Sequence, residues 1–200
     1  STARSDYYGI GEQLPVSGFE FFGGGGFYGA KDKREAEKSL YDLAAENGYS
    51  IAYGIDEYAA AKEGAEKMIL FQKMEKRNND LPYVAERQEG DLELPQVVEK
   101  AIDFLDNSNG FFLMVEGAYI DKHSHNNHLV STMAEMRSLI DTLEFLYEFA
   151  SDGDTAIFIT ADHETGGLKR ETNPRYMSST LFTSGDHTPA DVPLYVHNYD

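Results

Sequence analysis

Three consecutive stretches in the middle of the chain restrict its fold more than any other feature. Phe111-Phe112-Leu113-Met114-Val115 is an apolar run behind Gly110, so Gly110–Val115 reads as a buried strand. A helix of roughly His125 to Ser151 follows it. Leu129, Met133, Met136, Ile140, Leu143 and Tyr147 recur there at helical spacing and are expected in the core. Asp152-Gly153-Asp154 stops the helix, and Thr155 to Thr160 reads as a second buried strand. Strand, helix and strand in that order form a crossover, which implies parallel pairing and a right-handed connection. In open sheets of this kind ligands bind beyond the carboxyl ends of the strands.

The flanking sequence continues the alternation. Phe19 to Phe22 reads as a short strand running into Gly23–Gly26. Asp32 and Glu35 have capping-box spacing and are expected to open a helix that runs to about Asn47, with Gly48 as its stop and Leu40, Leu43 and Ala44 on its apolar face. Ser50 to Tyr53 reads as a strand, Asp56 to Glu63 as a short helix and Met68 to Phe71 as a further strand. Lys73 to Gly90 is polar and broken by Asn78-Asn79-Asp80 and Pro82, hence loop. Pro95 begins a helix where its missing N–H costs little, with Val98, Ala101, Ile102 and Leu105 facing in. The expectation is one α/β domain over residues 1–200 with a mostly parallel central sheet.

Charge and composition narrow the partners. Seventeen basic against 35 acidic residues give a net charge of −18, which repels nucleic acid and anionic lipid. No apolar run approaches a membrane span. With no cysteine, disulfides and thiolate metal sites are excluded. The chain opens on Ser-Thr-Ala-Arg, without a starting Met or a signal peptide, as a processed or cut piece would.

The chemistry-bearing residues gather at the expected strand ends. Glu116, Asp121, His123, His125 and His128 follow the first central strand, and Asp162 and His163 follow the second. Carboxylates and imidazoles are the donors that bind Zn²⁺ or Mg²⁺. If a helix starts at Asp121, His125 lies one turn further on the same face, so both can close on one ion. His187, in the polar turn Gly185-Asp186-His187-Thr188-Pro189, could fold back to the same edge. Other residues have plainer readings. His123 and His128 read as a solvated helix flank and His197 as surface. Gly23–Gly26 lacks the following Gly-Lys-Ser/Thr of a phosphate loop and reads as a turn where backbone approaches a neighbour.

These residues together resemble the alkaline phosphatases. Val115-Glu116-Gly117-Ala118-Tyr119-Ile120-Asp121 is similar to the family's Val-Glu-Gly-x-x-Ile-Asp motif, with His125 four residues after the Asp. Thr160-Ala161-Asp162-His163-Glu164-Thr165-Gly166-Gly167 resembles its second metal motif, and Gly185-Asp186-His187-Thr188 its third. The resemblance implies a three-layer α/β/α sandwich, incomplete at its N-terminal side. It implies a zinc held by Asp121, His125 and His187, a second zinc held in part by Asp162 and His163, and a magnesium with Glu116 among its ligands. Lys122 would face the phosphate through water, and Arg4 falls roughly where the family's phosphate-clamping arginine lies. The implied reaction is phosphomonoester hydrolysis through a phosphoserine, in the periplasm or outside the cell, with a homodimer open to the full-length protein.

Departures from the family pattern set further expectations. The nucleophile's Asp-Ser-Ala motif has no match, nor do the aspartate shared between zinc and magnesium and the magnesium-binding threonine. The chain therefore corresponds to about the C-terminal two thirds of the family's length and is expected to be inactive alone. Ser124 is a substitute nucleophile by position only; its helix-start place suits structure better. The insert between the second and third motifs, 164–186, is short. Two other functions stand beside this one: a noncatalytic metal- or phosphate-binding module, and a phosphodiesterase or phosphoglycerate mutase of the wider superfamily.

Overall fold

The central strand of the sheet, β3 (Lys67–Phe71), is where the fold is most deeply buried: Met68, Ile69 and Leu70 are all fully enclosed. A computed structural model describes residues 3–29, 38–73, 80–169 and 181–199, and the chain divides into two compact units. The first comprises 1–82 and 87–114, the second 83–86 and 115–200. In the first, after the short helix α1 (Tyr7–Gly11), strands β1 (Phe21–Gly24), β2 (Tyr49–Tyr53) and β3 form a parallel sheet in the order β1-β3-β2. Phe22 and Ile51 both align with Ile69. An unbroken apolar run suits a parallel strand covered on both faces.

Alternate residues of β3 feed two separate cores, as the pleat requires. Ile69 and Phe71 pack with Phe27, Tyr49, Leu40 and Ala44, the last two from α2 (Leu40–Glu46). Met68 and Leu70 pack with Tyr58 of α3 (Ile55–Lys62), and with Leu92 and Val97, the latter from α4 (Leu94–Leu105). Helices therefore cover both faces. Handedness explains why. The β1-to-β2 connection passes over β3 and the β2-to-β3 connection returns, so two right-handed crossovers must lie on opposite sides.

Local signals set the helix ends. The capping box expected at Asp32 and Glu35 lies outside the described residues. The helix that stops at Gly48 (φ +86°) starts instead at Leu40, where Ser39 Oγ accepts from the Asp42 N–H and Asp42 accepts from the Ser39 N–H. Glu93 and Gln96 form a second box that spans Pro95. The glycine run has a packing cause at Gly23, where a Cβ would stand 2.4 Å from Val97 Cγ1. Strand β1 can approach α4 only because that atom is missing.

The second unit departs from the expected crossover. No strand forms over Gly110–Val115; exposure alternates along it as on a pleated strand, with Phe112 and Met114 largely exposed. A strand is held by the ladder that satisfies its N–H and C=O groups. Among the described residues no ladder reaches this segment, and the boundary between the units falls at Met114. The one long helix is also two: α5 (Ala118–His125) and α6 (Leu129–Phe149), broken where Asn127 turns left-handed at φ +53°. Strand β4 (Ile157–Ile159) then pairs antiparallel with β7 (Tyr195–His197), not parallel with an earlier strand.

The phase of α6 also differs from expectation. Leu129 is buried, but Met133, Met136, Ile140 and Tyr147 are exposed. The covered face instead carries Thr132, Glu135, Ser138 and Thr142. Polar residues can occupy it because their groups are satisfied: Thr132 and Thr142 donate back to the His128 and Ser138 carbonyls, and Glu135 accepts from the Val84 N–H at 2.8 Å.

Two measurements check this packing. Gly23→Ala should destabilise the protein by about 1–3 kcal/mol, the cost of overpacking a filled site, seen as a lower urea midpoint; an unchanged midpoint contradicts the close approach. Asp103 on α4 accepts from Lys62 at 2.8 Å and Tyr58 at 2.7 Å. The Lys62 bond first and the Tyr58 bond second hold its carboxyl below the ordinary 3.8, against a smaller opposing effect of burial. A depressed folded pKa means that this stabilisation is complete above pH 3.8 and is lost as pH falls through the folded value. Carbon-detected NMR titration of Asp103 should give a midpoint below 3.8, and one at or above it refutes the network.

Candidate metal centre

Helix α5 supplies the first pair of donors. Asp121 lies in its first turn and His125 at its last residue, an i,i+4 pair with Nε2 3.5 Å from Oδ1. His125 Nδ1 is 2.7 Å from the Gly185 carbonyl oxygen. A carbonyl only accepts, so Nδ1 carries the proton and Nε2 keeps its lone pair for a ligand.

A two-residue ribbon brings in the rest. Strands β5 (Glu164–Thr165) and β6 (His187–Thr188) pair antiparallel, Glu164 opposite Thr188 and Thr165 opposite His187. Glu164 closes the turn by accepting from the Gly167 and Leu168 N–H groups and from the Thr188 hydroxyl. Gly166 must be glycine twice over: its φ is +90°, and a Cβ would meet Phe182 at 2.5 Å and the Ser124 carbonyl at 3.1 Å. With the ribbon in place, His187 Nε2 lies 3.6 Å from Asp121 Oδ1 and 3.1 Å from His125 Nε2. The His163 ring stacks on that of His187 at 3.4 Å.

Thr165 links the two halves. Its hydroxyl donates to Asp121 Oδ1 at 2.6 Å and lies 3.1 Å from His163 Nδ1. Having given its proton to the carboxylate, the oxygen accepts from Nδ1–H, which leaves His163 Nε2 unprotonated. One hydroxyl therefore orients an aspartate from α5 and a histidine from the residues before β5.

The donor set fits a tetrahedral cation. Ligands about 2.0–2.1 Å from a tetrahedral zinc stand about 3.3 Å from one another. The Asp121, His125 and His187 atoms are 3.1, 3.5 and 3.6 Å apart. Two imidazole lone pairs at such a distance repel unless a proton or a cation lies between them. Ligand atoms of Asp121, His163 and His187 fall within 4.8 Å of one another.

Other residues singled out from sequence are placed as follows. Asp162, largely exposed, has Oδ2 3.3 Å from His163 Nε2. Glu116 is exposed, two residues ahead of α5. Arg4 is exposed in a turn of the first unit. Lys122 Nζ lies over the rings of Tyr83 and Tyr119, at 5.4 and 5.3 Å from their centres. Ser124 is buried and its hydroxyl donates to the Ile120 carbonyl at 2.7 Å, which ties it into the helix. His123 is not a solvated flank: its ring packs edge-on to Tyr83, and Nε2 is 3.9 Å from the buried Glu135. His128 caps α6 and bonds Ser131, and His197 is half-buried on β7 against Tyr147. Sequence reasoning missed Thr165 and Tyr83; the first was legible only as part of a motif, the second lay in a stretch read as loop.

Comparison with known proteins gives the family. The family model for alkaline phosphatase matches residues 26–199. The repressible alkaline phosphatase of Saccharomyces cerevisiae is 33% identical over 82% of this chain, and alkaline phosphatase H of Pseudomonas aeruginosa is 32% identical over 67%. The matched regions are 29% and 33% of those proteins, so the chain spans about a third of their length. Alkaline phosphatase from the Antarctic bacterium TAB5 superposes with a TM-score of 0.77 at 27% identity, over 95% of this chain and 56% of that one. A TAB5 variant with magnesium bound in its M3 site gives 0.80 at 25% identity, over 98% and 59%. The fold is thus the α/β fold of these enzymes, present in part, and the chain belongs to the alkaline phosphatase family.

Proposed function

We propose that this chain supplies the metal- and phosphate-holding portion of a metal-dependent phosphomonoesterase. The reading rests above all on the near-tetrahedral spacing of Asp121, His125 and His187. In it, those three hold one zinc, Asp162 and His163 contribute to a second, and Glu116 contributes to a magnesium. Lys122 contacts the phosphate. Bound divalent cations would polarise the phosphoryl group and lower the pKa of a coordinated oxygen nucleophile. The chain's own residues perform the rest. Gly185 and Thr165 fix the imidazole tautomers so that lone pairs face inward, and α5 sets Asp121 against His125.

The family's Asp-Ser-Ala nucleophile motif has no match in the sequence. Ser124 lies one residue from His125, but its hydroxyl is buried and committed to its own helix. The reaction through a phosphoserine therefore belongs to a polypeptide carrying the family's nucleophile, and this 200-residue chain alone binds metal without turnover. The compartment proposed is the periplasm or cell exterior, on the family resemblance. A homodimer of the full-length protein is consistent with it.

Calorimetric titration of zinc into the whole chain tests the reading. Asp121→Ala should abolish the tight event. Thr165→Val should weaken it about 10- to 100-fold, the usual loss when the group orienting a ligand is removed. Unchanged affinity in both variants overturns the site. The zinc-loaded chain should release no phosphate from p-nitrophenyl phosphate. Turnover that Ser124→Ala abolishes would reinstate that serine as nucleophile.

A further inference from the structure

We propose that Tyr83 and Tyr119 form an aromatic clasp that positions the Lys122 ammonium for phosphate. This rests on the reading of Lys122 as a phosphate contact. A lysine ammonium rides on four rotatable bonds, so a lysine beside a site is not yet a lysine aimed at it. Tyr119 precedes Lys122 by three residues on α5, which puts both on one face of the helix. Tyr83 comes from outside that helix, its ring edge-on to Tyr119 at 4.7 Å and to His123 at 4.6 Å. Lys122 Nζ lies within cation–π range of both tyrosines, 5.4 Å from one centre and 5.3 Å from the other.

The outer half of the clasp is anchored. The residue after Tyr83 donates its backbone N–H to Glu135 Oε1 at 2.8 Å, and Glu135 is a buried carboxylate on α6. Helices α5 and α6 pack together, so the Tyr83 ring is tied to the scaffold that carries Asp121 and His125. The chemistry of the clasp suits its task. A π face attracts an ammonium through its quadrupole, and two rings at an angle narrow the directions in which that ammonium can lie. Tyr83 is accordingly a positioning residue: it acts on phosphate through Lys122.

The test uses the zinc-loaded whole chain and inorganic phosphate, with affinity read by calorimetry and zinc affinity measured in parallel. Lys122→Met should weaken phosphate binding. Tyr83→Leu should weaken it about 2- to 5-fold, as loss of an exposed cation–π contact implies, with zinc affinity unchanged. Tyr83→Phe, which keeps the π face, should restore it, and Tyr119→Leu gives a second reading through the other ring. In the Lys122→Met background Tyr83→Leu should have no further effect. If Lys122→Met weakens binding but neither tyrosine variant does, the clasp is refuted and the phosphate role of Lys122 stands. If Tyr83→Leu still weakens binding without Lys122, the ring acts by another route and the clasp is refuted. If Lys122→Met is silent, the phosphate reading of that lysine falls and the clasp falls with it.

Discussion

Two residue pairs of antiparallel ladder, Glu164 with Thr188 and Thr165 with His187, hold together a centre whose donors come from distant parts of the chain. His187 is 62 residues from His125, and nothing local in the sequence would bring their rings to 3.1 Å. The ladder is short, so side chains reinforce it. Glu164 gathers three donors at the turn, and Gly166 removes the Cβ that would collide with Phe182 and the Ser124 carbonyl. Charged and imidazole groups cannot be crowded without compensation, and Thr165 and the Gly185 carbonyl supply it by settling where each proton sits. Ribbon and helix α5 together aim the lone pairs inward, and that makes a cation the natural occupant.

The first unit was largely legible because its signals are local. The unbroken run from Met68 to Phe71 suits a strand covered on both sides and forms one, and Leu40, Leu43 and Ala44 mark the buried face of a helix that ends at a left-handed glycine. Its helix began later than expected because Ser39 and Asp42, seven residues beyond the box at Asp32, make the cap.

The second unit resisted reading for physical reasons. An apolar run such as Phe111–Val115 specifies a willingness to pair but not a partner, and strandhood is a property of the ladder. Helix α6 shows the corresponding failure in phase. Methionines and Ile140 recur at the right period, yet the covered face belongs to Ser138, to Thr132 and Thr142, whose hydroxyls donate within the helix, and to Glu135, whose partner lies far off in sequence. At the site, Asp121 and His125 followed from helical spacing, and His187 was placed by family likeness. Tyr83 carried no signal, since a polar stretch with asparagines and a proline says nothing about which of its rings will be pinned by a buried carboxylate.

In the proposed centre, imidazoles from α5 and from the ribbon share one cation with Asp121. X-ray absorption at the zinc edge, with one equivalent of zinc in the whole chain, reads that shared coordination. The expected spectrum has a nitrogen and oxygen shell at about 2.0 Å, with outer-shell scattering from at least two imidazoles, one of which disappears in His187→Ala. An oxygen-only shell without imidazole scattering, or a spectrum indifferent to that substitution, would contradict it.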